Sequence, residues 1–259
     1  MPEPGQPLFT GVGVALLTLF DEKEAVDGKA TADLASRLVD VGMRAIVLAG
    51  TTGEALTLDL DDRRELVSSV RAAIPAGSGV PLIVGSGSAS AHQAARFSAA
   101  AREDGADAVI VLSPPGSRDL VRYYGAVEHA VEGLPIFGYH YPAVSAPGIP
   151  VRDLPTLPLV ALKDSSGDPE RLLETLSAWD GFLYTGSSAM LSFAGSVGCS
   201  GAILQLANAE PERCIRAFEG DWKSQRDLIA AHLAMRSDFP SRIKRMTAER
   251  FGTSVVSRL

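Results

Sequence analysis

The segment "LVALKDSSGD", residues 159–168, sets a single amine, Lys163, at the end of an apolar run. An amine at the end of a buried strand is partly desolvated, and desolvation disfavours its charged form. Bringing a lysine from about 10.4 towards 7–8 takes roughly 4 kcal/mol of differential destabilisation. The neutral amine that results can attack a ketone and form a Schiff base. The competing reading is a lysine that snorkels out of the strand end and pairs with Asp164.

Tyr139 ends another apolar run and opens "YHYP", residues 139–142. A phenol beside the amine could relay protons during carbinolamine dehydration and carbon–carbon cleavage. Equally, it could cap a core with its hydroxyl in water. His140 alternates to the other face of the strand and is expected to be structural.

"GTTGE", residues 50–54, packs two glycines and two threonines into one turn. Successive backbone N–H groups in such a turn form a nest for a carboxylate, with Thr51 and Thr52 adding hydroxyls. A tight turn with threonine-capped backbone is the alternative. "GSGS", residues 85–88, could cradle a phosphate at a helix start, although glycine-rich turns of this kind are common. His92, His129, His140 and His232 show no metal-ligand spacing. No GxSxG or Cys–His arrangement marks an acyl-transfer nucleophile, and no cofactor or metal is expected.

These groups need elements to position them. Eight short apolar runs recur along the chain: 12–18, 45–49, 82–85, 108–112, 135–139, 159–162, 182–185 and 202–206. Amphipathic segments lie between them. "TADLASRLVDVG" is expected to start at an N-cap Thr31 and stop at Gly42. "LDDRRELVSSVRAAIP" carries acids in its first turn and Pro75 past its end. "SASAHQAARFSAAAREDG" is alanine-rich, with Ser88 or Ser90 as cap. "VGMRAIVLAG", "DGADAVIVLS" and "VGCSGAILQL" share a helix-end glycine followed by a buried strand, a weak internal repeat.

Strand–helix alternation repeated eight times within 259 residues has the count and length of an α/β fold of (β/α)8 TIM-barrel type. An open doubly wound sheet would not need eight units, and the first helix lacks GxGxxG. Residues 1–209 are expected to hold the barrel strands and helices. Residues 210–259 would add the last barrel helix and a short C-terminal helical extension, with a break at Phe239-Pro240, all in a single domain. In such barrels reactive groups sit at the C-terminal strand ends. Lys163, Tyr139 and the Thr51-Thr52 turn would then share one mouth, on strands six, five and two.

Apolar content of 46% with only 6% aromatics suits a parallel sheet built from Ala, Val, Leu and Ile. The net charge of −7, with both signs interspersed, argues against nucleic-acid and membrane-surface binding. Cys199 and Cys214 are too few for a disulfide framework and are expected to be reduced, which points to a cytoplasmic location. "MPEPGQPLF" lacks the pattern of a signal peptide, and no apolar run approaches a membrane span.

The constellation resembles the dihydrodipicolinate synthase / N-acetylneuraminate lyase family of class I Schiff-base aldolases and lyases. The matching pieces are "VALLTLFD" (14–21), "GTTGEALTL" (50–58), "IVGSGSASAHQA" (83–94), the Tyr and Pro of "YHYP", "ALKDSSGD" (161–168) and "GAILQLAN" (201–208). The resemblance implies Lys163 as Schiff-base lysine and Tyr139 as proton-relaying tyrosine. It implies Thr51 and Thr52 as holders of a 2-oxo acid carboxylate, Thr51 also linking to the tyrosine. Gly186 and Ile203 join them as implied substrate-binding positions.

The chain departs from that pattern at several points. The fourth-strand loop reads "SPPGSRD", with Pro115 and Gly116 where members often carry a "PYY" motif whose second tyrosine crosses the subunit interface. Val144 stands where dihydrodipicolinate synthases carry an arginine for the second substrate's carboxylate. Ser187 and Ser188 stand where neuraminate lyases place acids. The chain also stops at Leu259, near where the family's last helix would begin. The expectation is therefore a lyase acting on pyruvate or a sugar-derived 2-oxo acid, possible aldehyde partner included, in a homo-oligomer. Dihydrodipicolinate synthase proper and a catalytically impaired 2-oxo-acid sensor are the alternatives.

Overall fold

Parallel strands covered on both faces need apolar residues at successive positions, and the eight short runs meet that demand. The computed structural model describes residues 5–116, 119–235 and 238–259. The strands are β1 (Gly11–Ala15), β2 (Ile46–Leu48), β3 (Leu82–Gly85), β4 (Ala108–Leu112), β5 (Ile136–His140), β6 (Ala161–Asp164), β7 (Phe182–Thr185) and β8 (Gly201–Leu204). They pair in parallel in chain order, and β8 closes on β1, giving the expected (β/α)8 barrel.

Alternation divides each strand between two apolar layers. Val47, Ile83, Ile110, Phe137, Ala161, Tyr184 and Ile203 fill the barrel interior. Their neighbours Ile46, Val84, Val109, Leu162, Leu183 and Leu204 pack outward into the helical layer. Each of the Val, Leu, Ile and Phe side chains contributes roughly 1.5–3 kcal/mol on burial. Phe9 closes the N-terminal end, its ring 4.6 Å from that of Tyr184 and its carbonyl accepting the Tyr184 hydroxyl at 2.7 Å.

The expected runs lie within a few residues of the observed strands, and the differences have local causes. β1 stops at Ala15 rather than Thr18 because the buried Asn208 side chain takes over its ladder. The Asn208 amide donates to the Ala15 carbonyl at 2.8 Å, and its Oδ1 accepts from the Leu17 N–H at 3.1 Å. β2 ends before Ala49, whose φ of 49° breaks the extended chain. β6 lies two residues later than the apolar pattern suggests, so Lys163 sits inside the ladder rather than past its end.

Ten helices are described: α1 (Gly28–Val41), α2 (Leu60–Ala73), α3 (Ala91–Glu103), α4 (Leu120–Val131), α5 (Pro169–Ala178), α6 (Leu191–Ser196), α7 (Pro211–Phe218), α8 (Trp222–Asp227), α9 (Ile229–Met235) and α10 (Ser241–Phe251). The cap expected at Thr31 is instead Asp27, whose carboxylate accepts from the Ala30 N–H at 2.8 Å. Thr31 lies one turn inside α1 and uses its hydroxyl to accept the Leu19 N–H. Gly42 terminates α1 in the left-handed conformation, as expected. Asp59 and Asp62 form a reciprocal capping box at the start of α2. At α3, Ser90 holds the cap position without a side-chain bond, while the Ser88 hydroxyl donates to Gln93.

After α7, three helices follow rather than one or two, with Phe239-Pro240 lying between α9 and α10. The chain then runs across the loops after β1 and β2 to Leu259. Cys199 and Cys214 are free and buried. No helix among the described residues is long and apolar enough to cross a membrane.

Candidate active site

Strand pairing aligns the two groups singled out for chemistry. Tyr139 on β5 and Lys163 on β6 are Cα partners, and Lys163 is in turn the partner of Tyr184 on β7. All three occupy inward positions, by alternation from Phe137 and Ala161. Lys163 is 6% exposed, and burial without a neighbouring acid lowers its amine from 10.5 to about 7. Its Nζ lies 4.3 Å from the centroid of the Tyr139 ring.

Asp164 cannot serve as the counter-ion of this amine, because it points to the opposite face. There its carboxylate is held by the Ser166 hydroxyl at 2.6 Å and by Arg171 Nε at 2.7 Å. Arg171 also donates to the Ile149 carbonyl at 2.6 Å. His140 belongs to the same outward network. Its Nδ1 accepts the Ile149 N–H at 2.9 Å, and burial pushes its pKa down to about 4, so it is neutral and structural.

The side chains of Thr51 and Ser165 face the Tyr139 hydroxyl. Burial raises its pKa above 10.0, and these two neighbours oppose the rise. The phenol is therefore protonated at neutral pH. Tyr141 stacks on it, ring centroids 5.9 Å apart. Ser165 was not expected from the sequence. The signal was there in hindsight: a residue two beyond Lys163 in an extended segment returns to the same face.

Thr51–Gly53 forms a single 3-10 turn at the end of β2. The first N–H groups of such a turn lack partners within it. Thr52 is buried, and the Thr18 hydroxyl donates to the Gly53 carbonyl at 2.7 Å, fixing the turn against the end of β1. The next residue, Glu54, is buried and left-handed, with φ 56°.

Gly186 follows β7 and leaves little room for a side chain. A Cβ there would lie 1.9 Å from Ser165 Oγ and 3.0 Å from Lys163 Cε. Ile203 is fully buried in the interior layer. The structure thus brings Lys163, Tyr139 and Thr51 together, with Gly186 against the lysine.

Positions that depart from the family pattern have their own surroundings. Val144 is 47% exposed. Ser188 is buried, its hydroxyl 2.9 Å from His232 Nδ1. In the fourth-strand loop, the Gly116 N–H donates to the Ala146 carbonyl at 2.8 Å; Ser117 and Arg118 lie outside the described residues. The "GSGS" turn is occupied by protein: Tyr123 Oη donates to the Ser88 carbonyl at 2.7 Å and accepts the Ser88 N–H at 3.0 Å.

The chain is similar to proteins of known family. The chain is 34% identical over 235 residues to a 4-hydroxy-tetrahydrodipicolinate synthase of Natronomonas pharaonis, covering 85% of this chain and 79% of that one. It is 30% identical over 254 residues to an uncharacterised DapA-like lyase of Halobacterium salinarum, covering 94% and 83%. The crystal structure of dihydrodipicolinate synthase from Aquifex aeolicus superposes with a TM-score of 0.87 at 28% identity, covering 97% of this chain and 91% of that one. A model of the dihydrodipicolinate synthetase family matches residues 8–235. With the barrel, the buried lysine and this similarity in agreement, the chain belongs to the dihydrodipicolinate synthetase family.

Proposed function

We propose that this protein is a lyase that captures a 2-oxo acid as a Schiff base on Lys163. The observation that carries the reading is a buried amine with a pKa of about 7, paired across the ladder with a tyrosine whose hydroxyl faces Thr51. The neutral Lys163 amine attacks the C2 carbonyl, and loss of water from the carbinolamine yields a protonated imine. Tyr139 supplies and recovers the protons of these steps, its hydroxyl flanked by Thr51 and Ser165.

The iminium is an electron sink. When the C3–C4 bond breaks, its electron pair flows into the imine and leaves an enamine, while the C4 hydroxyl loses its proton and becomes an aldehyde. Protonation at C3 and hydrolysis then release the 2-oxo acid and restore the amine. Thr51 and Thr52 bind the carboxylate and so orient the reacting carbons. Gly186 leaves room beside the imine, and Ile203 forms part of the apolar floor.

Several relatives are named 4-hydroxy-tetrahydrodipicolinate synthase. At the position that would grip a second carboxylate this chain offers the uncharged Val144, which favours a pyruvate-type or sugar-derived 2-oxo acid over aspartate semialdehyde. We take the working protein to be a cytoplasmic homo-oligomer. Exposed apolar side chains such as Leu56 and Trp222 are what a second copy would cover.

The test is to incubate the protein with pyruvate, reduce with borohydride and map the adduct by mass spectrometry. An adduct on Lys163 is expected, and turnover across a panel of 2-oxo acids and aldehydes, aspartate semialdehyde included, would identify the reaction. No adduct at Lys163 sinks the lyase reading. An adduct without turnover across the panel favours a sensor.

A further inference from the structure

Glu54 closes the turn that carries Thr51 and Thr52, yet it has no role in the chemistry assigned to Lys163. Its left-handed backbone, φ 56° and ψ 40°, costs a non-glycine residue roughly 1–2 kcal/mol. Something must hold it there. Its Oε1 meets Lys244 Nζ of α10 at 2.5 Å, both side chains fully buried. Its Oε2 accepts from the Ser257 hydroxyl at 2.9 Å and from the N–H groups of Arg258 and Leu259 at 2.8 and 3.1 Å. Lys244 also donates to the Val256 carbonyl at 2.5 Å.

One acid thus ties the turn to α10 and to the 256–259 segment. Arg258 adds a second tie, to Asp62 at 2.5 Å and to the carbonyls of Thr57 and Glu24 at 3.1 and 2.7 Å. The guanidinium of Arg258 and the amine of Lys244 both lie over the Phe20 ring, 4.6 and 4.5 Å from its centroid. A buried ion pair is a weak source of stability, since well-packed apolar residues often do as well. A carboxylate that accepts three hydrogen bonds on one oxygen and meets an ammonium with the other does, however, have a defined position. Its Cα is two residues beyond Thr52.

We propose that Glu54 is a positioning residue: its clamp on Lys244 and the 257–259 segment holds the Thr51-Thr52 turn in the conformation that receives a 2-oxo acid carboxylate. The 256–259 segment is then a strap whose order is coupled to substrate affinity. This rests on the carboxylate role assigned to the turn above.

The experiment is borohydride trapping with pyruvate as probe, over a range of concentrations, on the full wild-type chain and on Glu54→Gln, Ser257→Ala and Arg258→Ala. Glutamine keeps the size and one acceptor oxygen but removes the charge facing Lys244. Glu54→Gln is expected to raise the half-saturating pyruvate concentration at least tenfold, and the other two severalfold. Adduct yield at saturation and the pH midpoint of trapping are expected to match wild type. A merely structural role would lower the yield and leave half-saturation in place. Coupling is also reciprocal, so pyruvate is expected to slow hydrogen exchange at the Arg258 and Leu259 amides of the wild type. If Glu54→Gln does not fold, Arg258→Ala and the exchange measurement decide. Unchanged half-saturation in the folded variants with unchanged exchange overturns the strap while Lys163 still traps pyruvate. No adduct on the wild type overturns both the strap and the carboxylate reading beneath it.

Discussion

Lys163 and Tyr139 face each other across the β5–β6 ladder, Cα opposite Cα, with the amine 4.3 Å from the ring centroid. Two adjacent strands therefore set the distance between nucleophile and proton donor, and no loop has to close to bring them together. Such placement on strands is more rigid than placement on loops. Five consequences can be measured.

The pH profile of imine formation reports the buried amine. With a pKa of about 7, the rate at saturating pyruvate should rise about tenfold per pH unit below pH 6. Above about pH 8 it should level off. A rate that keeps climbing to pH 10 would mean that Lys163 behaves as an exposed lysine.

Lys163→Met should stabilise the fold, with a defined sign in pH. Below about pH 7 the amine is charged in both folded and unfolded chains, and the full desolvation cost falls on the wild type. Between about pH 7 and 10.5 only the unfolded amine binds the proton, so wild-type stability rises with pH across that window. The gain from methionine, up to about 5 kcal/mol, should be full below pH 7 and gone by pH 10.5. Urea unfolding at pH 6 and pH 10.5 checks it, and a gain that grows with pH would contradict it.

Tyr139→Phe should slow turnover by roughly 10²–10⁴-fold while pyruvate trapping on Lys163 continues. Thr51→Val and Ser165→Ala each remove a hydroxyl that faces the phenol and should cost less than losing the phenol itself. Full activity in Tyr139→Phe would remove it from the mechanism.

Gly186→Ala would place a methyl on top of Ser165 Oγ and against Lys163 Cε. Overpacking of this kind costs about 1–3 kcal/mol. The variant should also trap pyruvate more slowly. Adding Ser165→Ala removes the clashing hydroxyl, so the double variant should recover part of both losses, read by thermal unfolding and by trapping rate.

Asn208→Leu would leave the Leu17 N–H and Ala15 carbonyl buried without their side-chain partner. Each unsatisfied group costs about 1–3 kcal/mol. A lowered urea midpoint, with faster exchange at the Leu17 amide, is expected; an unchanged midpoint would show that the β1 end finds another partner.

Much of this molecule was legible in residue order. The apolar runs marked eight strands, and the Gly42 stop and the first-turn acids Asp61 and Asp62 marked helix ends, because each depends on neighbours within four or five residues. Thr31 misled for the same reason: a threonine before an amphipathic run is a plausible cap, but Asp27 reaches the first turn, and Thr31 instead satisfies the distant Leu19 amide. The position of β6 misled similarly, since Leu159 and Val160 read as strand although the ladder begins at Ala161.

The sequence by itself determined the barrel and placed Lys163 and Tyr139 near the ends of two of its strands and Thr51 in the turn after a third, since apolar runs and turn residues are local signals. Tertiary structure alone decided that Asp164 pairs with Arg171 rather than Lys163. It also decided that Ser165 reaches the Tyr139 hydroxyl, and that Glu54 joins the turn to Lys244 and Leu259. These contacts cross from one strand or one end of the chain to another, and the desolvation that lowers the Lys163 pKa to about 7 depends on all the groups packed around it at once. Such quantities are sums over neighbours in space, which residue order does not contain.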